Sequence, residues 1–286
     1  CTDPTAPNYN PDATKDDGSC EEVANEFLLT GTLSENKTLD ASHIWTLERR
    51  VIVPSGVTLT IPAGTIIKAT PGTGANATSL IIARGGTINA EGTANSPIIF
   101  TSTSDNISIG QSFGSSLSEK VRGLWGGLLI LGNAPCSFSG DVVEQQIEGI
   151  PASETNGLYG GTDPADNSGV LRYVSIRHGG AEIGEGNEIN GLTLGGVGTG
   201  TTIENIEVVG NVDDGIEFFG GTVNASGLLV WGQGDDGLDI DQAYAGTISN
   251  SMVILNEASD HALEIDGPEG SAPGRFTLDG LTLIGT

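Results

Sequence analysis

Apolar and polar residues alternate in short runs along this chain, and no window sustains a helical period. Leu192-Thr193-Leu194, Ile216-Glu217-Phe218, Leu238-Asp239-Ile240 and Leu263-Glu264-Ile265 each put two apolar side chains on one face and a polar one on the other, the pattern of a half-buried strand. Successive triplets start 24, 22 and 25 residues apart. Gly191, Gly215 and Gly237 precede three of them, and Ala262 holds the fourth place. Second strands are predicted between them at 203–208, 228–230, 252–254 and 281–283. Self-similarity at this period implies stacked units that bury their apolar faces on one another. The helix and L-x-x-L-x-L pattern of leucine-rich repeats are missing, and propeller blades need roughly 40 residues. The expected fold is all-β, a right-handed parallel β-helix with two or three short strands per coil and adjacent coils about 4.8 Å apart.

The same reading extends upstream. Short strands are predicted at 45–47, 51–53, 57–61, 65–67, 80–82, 97–100, 123–131 and 171–176, many separated by Gly-x or Pro-x turns. Two stretches break the rhythm, a Ser-rich one at 102–120 and one rich in Gly, Asp and Glu at 133–169. They are expected to leave the coil as loops on one side, where solenoids place their binding apparatus. The chain thus divides into residues 1–22, an Asp/Asn-rich stretch bounded by cysteines, and residues 23–286, the β-helix with its excursions.

Composition sharpens this picture. Glycine contributes 44 of 286 residues, roughly twice the usual share, as the turns of a tight coil demand. Lys plus Arg number 11 against 37 Asp plus Glu, a formal charge of 11 − 37 = −26. Such a polyanion repels nucleic acid and anionic membranes, so neither is an expected partner. It favours cations, calcium above all, because carboxylates and amide oxygens are hard ligands. No apolar run approaches 18 residues, so no transmembrane helix is predicted. The sequence shows neither an initiating Met nor a charged-then-apolar leader and reads as a mature or trimmed chain. Acidity, low Lys and abundant Asn, Thr, Ser and Gly point to an extracytoplasmic location. Cys1, Cys20 and Cys136 lack C-x-x-C spacing, which argues against a thiolate metal site. Cys1 has two competing fates: a disulfide with Cys20, or the lipid-bearing first residue of a bacterial lipoprotein. Only the second would give the protein a membrane contact.

Several phrases resemble a known family. Thr58-Leu59-Thr60-Ile61-Pro62-Ala63-Gly64-Thr65, Arg122-Gly123-Leu124-Trp125-Gly126-Gly127, Leu171-Arg172-Tyr173-Val174-Ser175-Ile176-Arg177-His178-Gly179-Gly180 and Asp213-Asp214-Gly215-Ile216-Glu217-Phe218-Phe219-Gly220-Gly221 are similar to secreted bacterial surface proteins with parallel β-helix repeats. The resemblance spans roughly residues 38–286. It implies the fold and a cell-surface location, as a lipoprotein or type IX secretion cargo, but no particular activity. Residues 1–20 resemble short cysteine-bounded modules, similar to the thrombospondin type 3 repeats that wrap calcium. Oxygen-bearing side chains at Asp3, Asn8, Asn10, Asp12, Asp16 and Asp17 would supply the ligands. Ala13 and Ser19 stand where an EF-hand needs Gly and Glu, which excludes that loop type. The alternative is a disordered tether.

One constellation suggests catalysis. Asn211-Val212-Asp213-Asp214, Gly234-Asp235-Asp236 and Asp260-His261 fall at equivalent places just before successive triplets. Stacking would gather Asp213, Asp235, Asp236 and His261 on one ridge, as in polygalacturonase-like glycosidases, where one carboxylic acid protonates the leaving oxygen and others activate water. Against this, His261 lies in Ser-Asp-His-Ala instead of Gly-His-Gly, and no Arg-x-Lys follows it. Turn chemistry explains the same residues, with Asp bonding the local backbone and Gly supplying a positive φ. Calcium between stacked Asp ladders is a third reading. Glu217, Asp239 and Glu264 are expected to form a solvated strand face. A pectate-lyase-like site would need Arg172 or Arg177 as its base, and both sit within a strand. Glycine runs at 195–200 and 220–221 read as turns. His43 and His178 read as hydrogen-bonding groups, and Trp45, Trp125 and Trp231 as core more than as sugar platforms. The expected function is a non-enzymatic surface scaffold, adhesin or assembly subunit meeting a protein or glycan partner, with a polysaccharide-degrading enzyme as the alternative. The segment 281–286 reads as an uncapped strand suited to end-to-end association.

Overall fold

The structure, a computed structural model, describes residues 2, 11–15, 27–182 and 189–285. Within them the alternating triplets become rungs of a right-handed parallel β-helix, and the strand pairings resolve into three ladders that each coil visits in turn. The first ladder stacks residues 51–53, Ser79–Ile82, Leu128–Leu131, Leu192–Gly195, Ile216–Phe219, Leu238–Asp241 and Leu263–Gly267. The second runs from Lys37–Thr38 through Thr58–Pro62, Thr87–Glu91 and the start of Gly169–Arg177 to Thr277–Asp279. The third includes Ile66–Ala69, Ile98–Ser102, Leu229–Trp231, Met252–Ile254 and Thr282–Ile284. Leu192, Ile216, Leu238 and Leu263 stand directly above one another, so the register is the one that the triplet spacing predicts.

Some predicted strands prove to be continuous. Segments 45–47 and 51–53 belong to one strand, Ile44–Val53, which passes from the third ladder to the first at Arg49, whose φ is 57°. Tyr173 (φ 48°) and Asn205 (φ 56°) turn Gly169–Arg177 and Thr202–Val209 from the second ladder to the third. One left-handed residue bends the chain without a loop, which alternation alone does not reveal. The glycines before the triplets also differ from expectation. Gly191, Gly215 and Gly237 are not among the residues with positive φ. They are needed for space: a Cβ on Gly215 would meet Val230 Cγ1 at 2.1 Å, and one on Gly237 would meet Val253 Cγ1 at 2.3 Å.

Inward residues at alternate positions, such as Leu80, Leu128, Leu192, Ile216 and Leu238, form a continuous core. Burying each such side chain contributes about 1.5–3 kcal/mol. A second apolar cluster lies outside the coil. Ile52, Ile81 and Leu129 face outward on the first ladder and are covered by Phe138, Ile147, Ile150 and Tyr159 from the 133–169 excursion. That excursion carries a short antiparallel pair, Gln145–Gln146 with Leu158–Tyr159. The Ser-rich excursion leaves at another corner, between the third ladder and the first. Asn106 Oδ1 organises it by accepting the N–H groups of Ser115 (2.7 Å) and Ser116 (3.2 Å). The two excursions therefore do not share one side, because they interrupt different corners of the coil.

Candidate functional site

Register alone sets Thr193, Glu217, Asp239 and Glu264 in one outward line, continuing the column that begins with Ile52, Ile81 and Leu129. The line is not the solvated face that alternation suggests. Glu217 is 6% exposed and Asp239 7%, while Glu264 is half-buried. The Asn190 amide donates to Glu217 Oε2. Nearby, Tyr159 donates its hydroxyl to Gln242 Oε1 at 2.7 Å, and Gln242 Nε2 donates to Glu269 Oε1 at 2.9 Å. Desolvation pushes the Glu217 carboxyl well above the usual range, with Asp239 and Glu148 adding repulsion. Asp239 is raised by the same burial. Asp214 is pushed up to about 9 by burial and then by Asp213.

Asp213, Asp235, Asp236 and His261 are neighbours but do not converge in one cleft. Asp213, Asp235 and Asp260 line a shallow groove of about 460 Å³ that Asp236 and His261 do not wall. Asp236 instead lies beside His261 and Glu264, with one ligand-type atom from each within 4.8 Å of the others. The buried aspartates tie coil to coil. Asp214 Oδ1 accepts the Asp236 N–H at 2.9 Å, and Asp236 Oδ1 accepts the His261 N–H at 2.6 Å. Asp thus bonds the backbone as turn chemistry predicts, but in the next coil rather than locally. Asp235 is exposed, and its carboxyl is raised by desolvation and by Asp236 and Asp260. Burial was invisible in the sequence because it depends on which coil lies above.

The two arginines considered as a base lie on the strand Gly169–Arg177, away from the groove that Asp213, Asp235 and Asp260 line. Arg172 pairs with Glu204 (2.8 Å) and Glu91 (3.1 Å), and Arg177 with Glu207 (3.3 Å). Both guanidinium groups are thus held by carboxylates and are not free to take a proton from a sugar. His43 bonds Asp40 Oδ1 through Nδ1 (2.8 Å), and the buried His178 bonds the Val121 carbonyl (2.7 Å). Trp45 and Trp125 are core residues, 3% and 0% exposed.

Trp231 is different. It is half-buried and helps to line a groove of about 500 Å³ between the Ser-rich excursion and the third ladder, whose lining also includes Phe113. Phe113 is 76% exposed. Arg177 and Glu207 also line the groove, and the buried Ser175 bridges them: Ser175 Oγ donates to Glu207 Oε2 at 2.5 Å, and Arg177 Nε donates to Ser175 Oγ at 2.7 Å. Sequence reasoning weighed Arg177 only as a base and passed over Phe113, Ser175 and Glu207. Its one available signal was a lone aromatic residue in a Ser-rich loop.

Of the calcium-type residues near the N-terminus, Asp12 is described; Asp3, Asn8, Asn10, Asp16 and Asp17, like Cys1 and Cys20, lie outside the described residues. Cys136 is a free thiol donating to the Phe219 carbonyl at 3.3 Å, and burial pushes it up to about 12. A family model described as a pectate-lyase like beta helix domain matches residues 31–285. No curated protein and no solved structure matches the chain.

Proposed function

The chain belongs to the pectate-lyase-like β-helix family, and from that premise we propose that it is a non-enzymatic extracytoplasmic scaffold whose excursions present a glycan-binding groove. The carrying observation is the groove beneath the Ser-rich excursion, which Trp231 and Phe113 line together with Arg177 and Glu207, the last two held by the buried Ser175. Sugars combine apolar C–H faces with rigid hydroxyls, and this pairing of aromatic surface with fixed donors and acceptors is complementary to them. The −26 charge favours a neutral glycan over an acidic one. Screening neutral oligosaccharides against the full chain tests this. Trp231→Ala and Phe113→Ala should each weaken binding about two- to tenfold, as loss of an aromatic contact of roughly 0.5–1.5 kcal/mol implies. Binding that survives both changes, or no binding across the panel, would remove the groove from this role.

One observation favours a polysaccharide-degrading enzyme instead. Asp213, Asp235 and Asp260 share an open groove, and the Asp235 carboxyl is raised there. A carboxyl that holds its proton more tightly than usual is suited to protonating a leaving oxygen. Release of reducing sugar from a polysaccharide panel, abolished in Asp235→Asn, would establish that reading in place of the scaffold.

A further inference from the structure

We propose that Asp214, Glu217 and Asp239, joined by the side-chain oxygen of Asn190, form a buried binding site for a hard divalent cation of the calcium class. The site is separate from the glycan groove and does not depend on what occupies it. Asp214 and Glu217 come from one coil, Asp239 from the next and Asn190 from the one before, so the ion would tie three coils together.

Geometry is the first support. One carboxylate oxygen from each of the three acids lies within 4.8 Å of the other two. Two oxygens on a shared calcium ion at about 2.4 Å can be at most about 4.8 Å apart, so the set already meets that limit. Two other acidic groups on this ridge are equally close, namely Asp213 with Asp214 and Asp235, and Asp236 with His261 and Glu264. Both include solvent-exposed members, whose charges water can screen.

The second support is independent of the carboxylates. Asn190 is 1% exposed, and its Oδ1 has no hydrogen-bond partner among the described residues. Its Nδ2 donates to Glu217 Oε2, so the amide head is held against the cluster with its oxygen unused. Asp239 Oδ1 is likewise buried and unpartnered. A buried oxygen without a donor is costly unless a cation or water satisfies it.

Charge gives the third. The charged groups that act most strongly on these three acids are other carboxylates: Asp213 and Asp236 on Asp214, Glu148 on Glu217, and Asp236 and Asp266 on Asp239. The cluster must be neutralised by protons or by a cation. With only carboxylate and amide oxygens available, the donors suit calcium, magnesium or manganese and not a thiolate- or imidazole-seeking metal.

The full chain, freed of metal with a chelator at pH 8, is titrated with calcium chloride by calorimetry, and its heat-unfolding midpoint is followed. Asp16→Asn/Asp17→Asn serves as the background, so that binding near the N-terminus is counted separately. The proposal expects one calcium per chain to remain in that background and to raise the midpoint. Asp239→Asn or Glu217→Gln should weaken this binding on the order of a hundredfold with an unchanged far-ultraviolet spectrum. Asn190→Asp gives a reading even if those neutral variants misfold: it should make stability more strongly calcium-dependent. A midpoint indifferent to millimolar calcium overturns the proposal in favour of a proton-neutralised cluster. So does a calcium response that Asp239→Asn and Glu217→Gln leave intact, or a destabilisation by Asn190→Asp that calcium does not relieve.

Discussion

A Cβ added to Gly215 would lie 2.1 Å from Val230 Cγ1 and 2.6 Å from the Gly237 carbonyl oxygen. Gly191 meets Val208 in the same way, and Gly237 meets Val253. In each coil the valine of the third ladder packs into the space that the glycine before the triplet leaves open. Gly215→Ala should therefore destabilise the fold by roughly 1–3 kcal/mol, the usual cost of overpacking, readable as a lower midpoint of denaturant unfolding. An unchanged midpoint would mean that Val230 can shift at no cost. The triplets and their preceding glycines were legible in the sequence, but the reason for the glycines was not. Positive φ is a property of one residue, whereas a clash with a valine 15 to 17 positions later exists only once the coil has closed. The burial of Glu217 and Asp239 was hidden for the same reason.

Among the elements, the two excursions have different duties. Phe138, Ile147, Ile150 and Tyr159 of the longer one cover Ile52, Ile81 and Leu129, so it completes the hydrophobic surface of the first ladder. The Ser-rich excursion instead places Phe113 at the solvent-facing edge of a groove. Replacing residues 137–160 by a short Gly/Ser turn should expose that outward apolar column and drive aggregation, visible by light scattering. Replacing residues 108–117 should leave the chain monodisperse and abolish glycan capture. Equal solubility of the two deletions would contradict this division. The interruptions in the repeat were evident from the sequence, because Ser and Gly runs break its alternation. Their separate corners were not, since strand count per coil fixes the corner and the bends at Tyr173 and Asn205 conceal that count.

At the scale of the molecule, the raised carboxyls set the response to pH. Asp214 is pushed up to about 9, first by burial and then by Asp213. Glu264 is pushed up to about 7, chiefly through its hydrogen bond with Asp236, and Asp241 to about 6 by burial. An acid whose folded pKa exceeds its unfolded value binds its proton more tightly when folded. Its contribution is complete below the unfolded pKa and is lost as pH rises through the folded one. His178, lowered by burial, acts in the opposite sense, but its effect falls below its ordinary value of 6.5. Between pH 7 and 9 the acids therefore dominate. In the presence of a chelator, the heat-unfolding midpoint should fall steadily across that interval. A rising midpoint would show that the ridge is already neutralised by something other than protons.

The first ladder keeps its alignment through both excursions. Leu80 pairs with Leu128 across the Ser-rich insertion, and Leu128 with Leu192 across the longer one, as cleanly as Ile216 pairs with Leu238 in a plain coil. The frame thus does not meter what is inserted between its rungs. Recognition and support are written in separate stretches of the same chain, and a foreign loop spliced at the Ser-rich corner would inherit a rigid mount without any retuning of the core. Such a molecule can diversify what it touches while its architecture stands still.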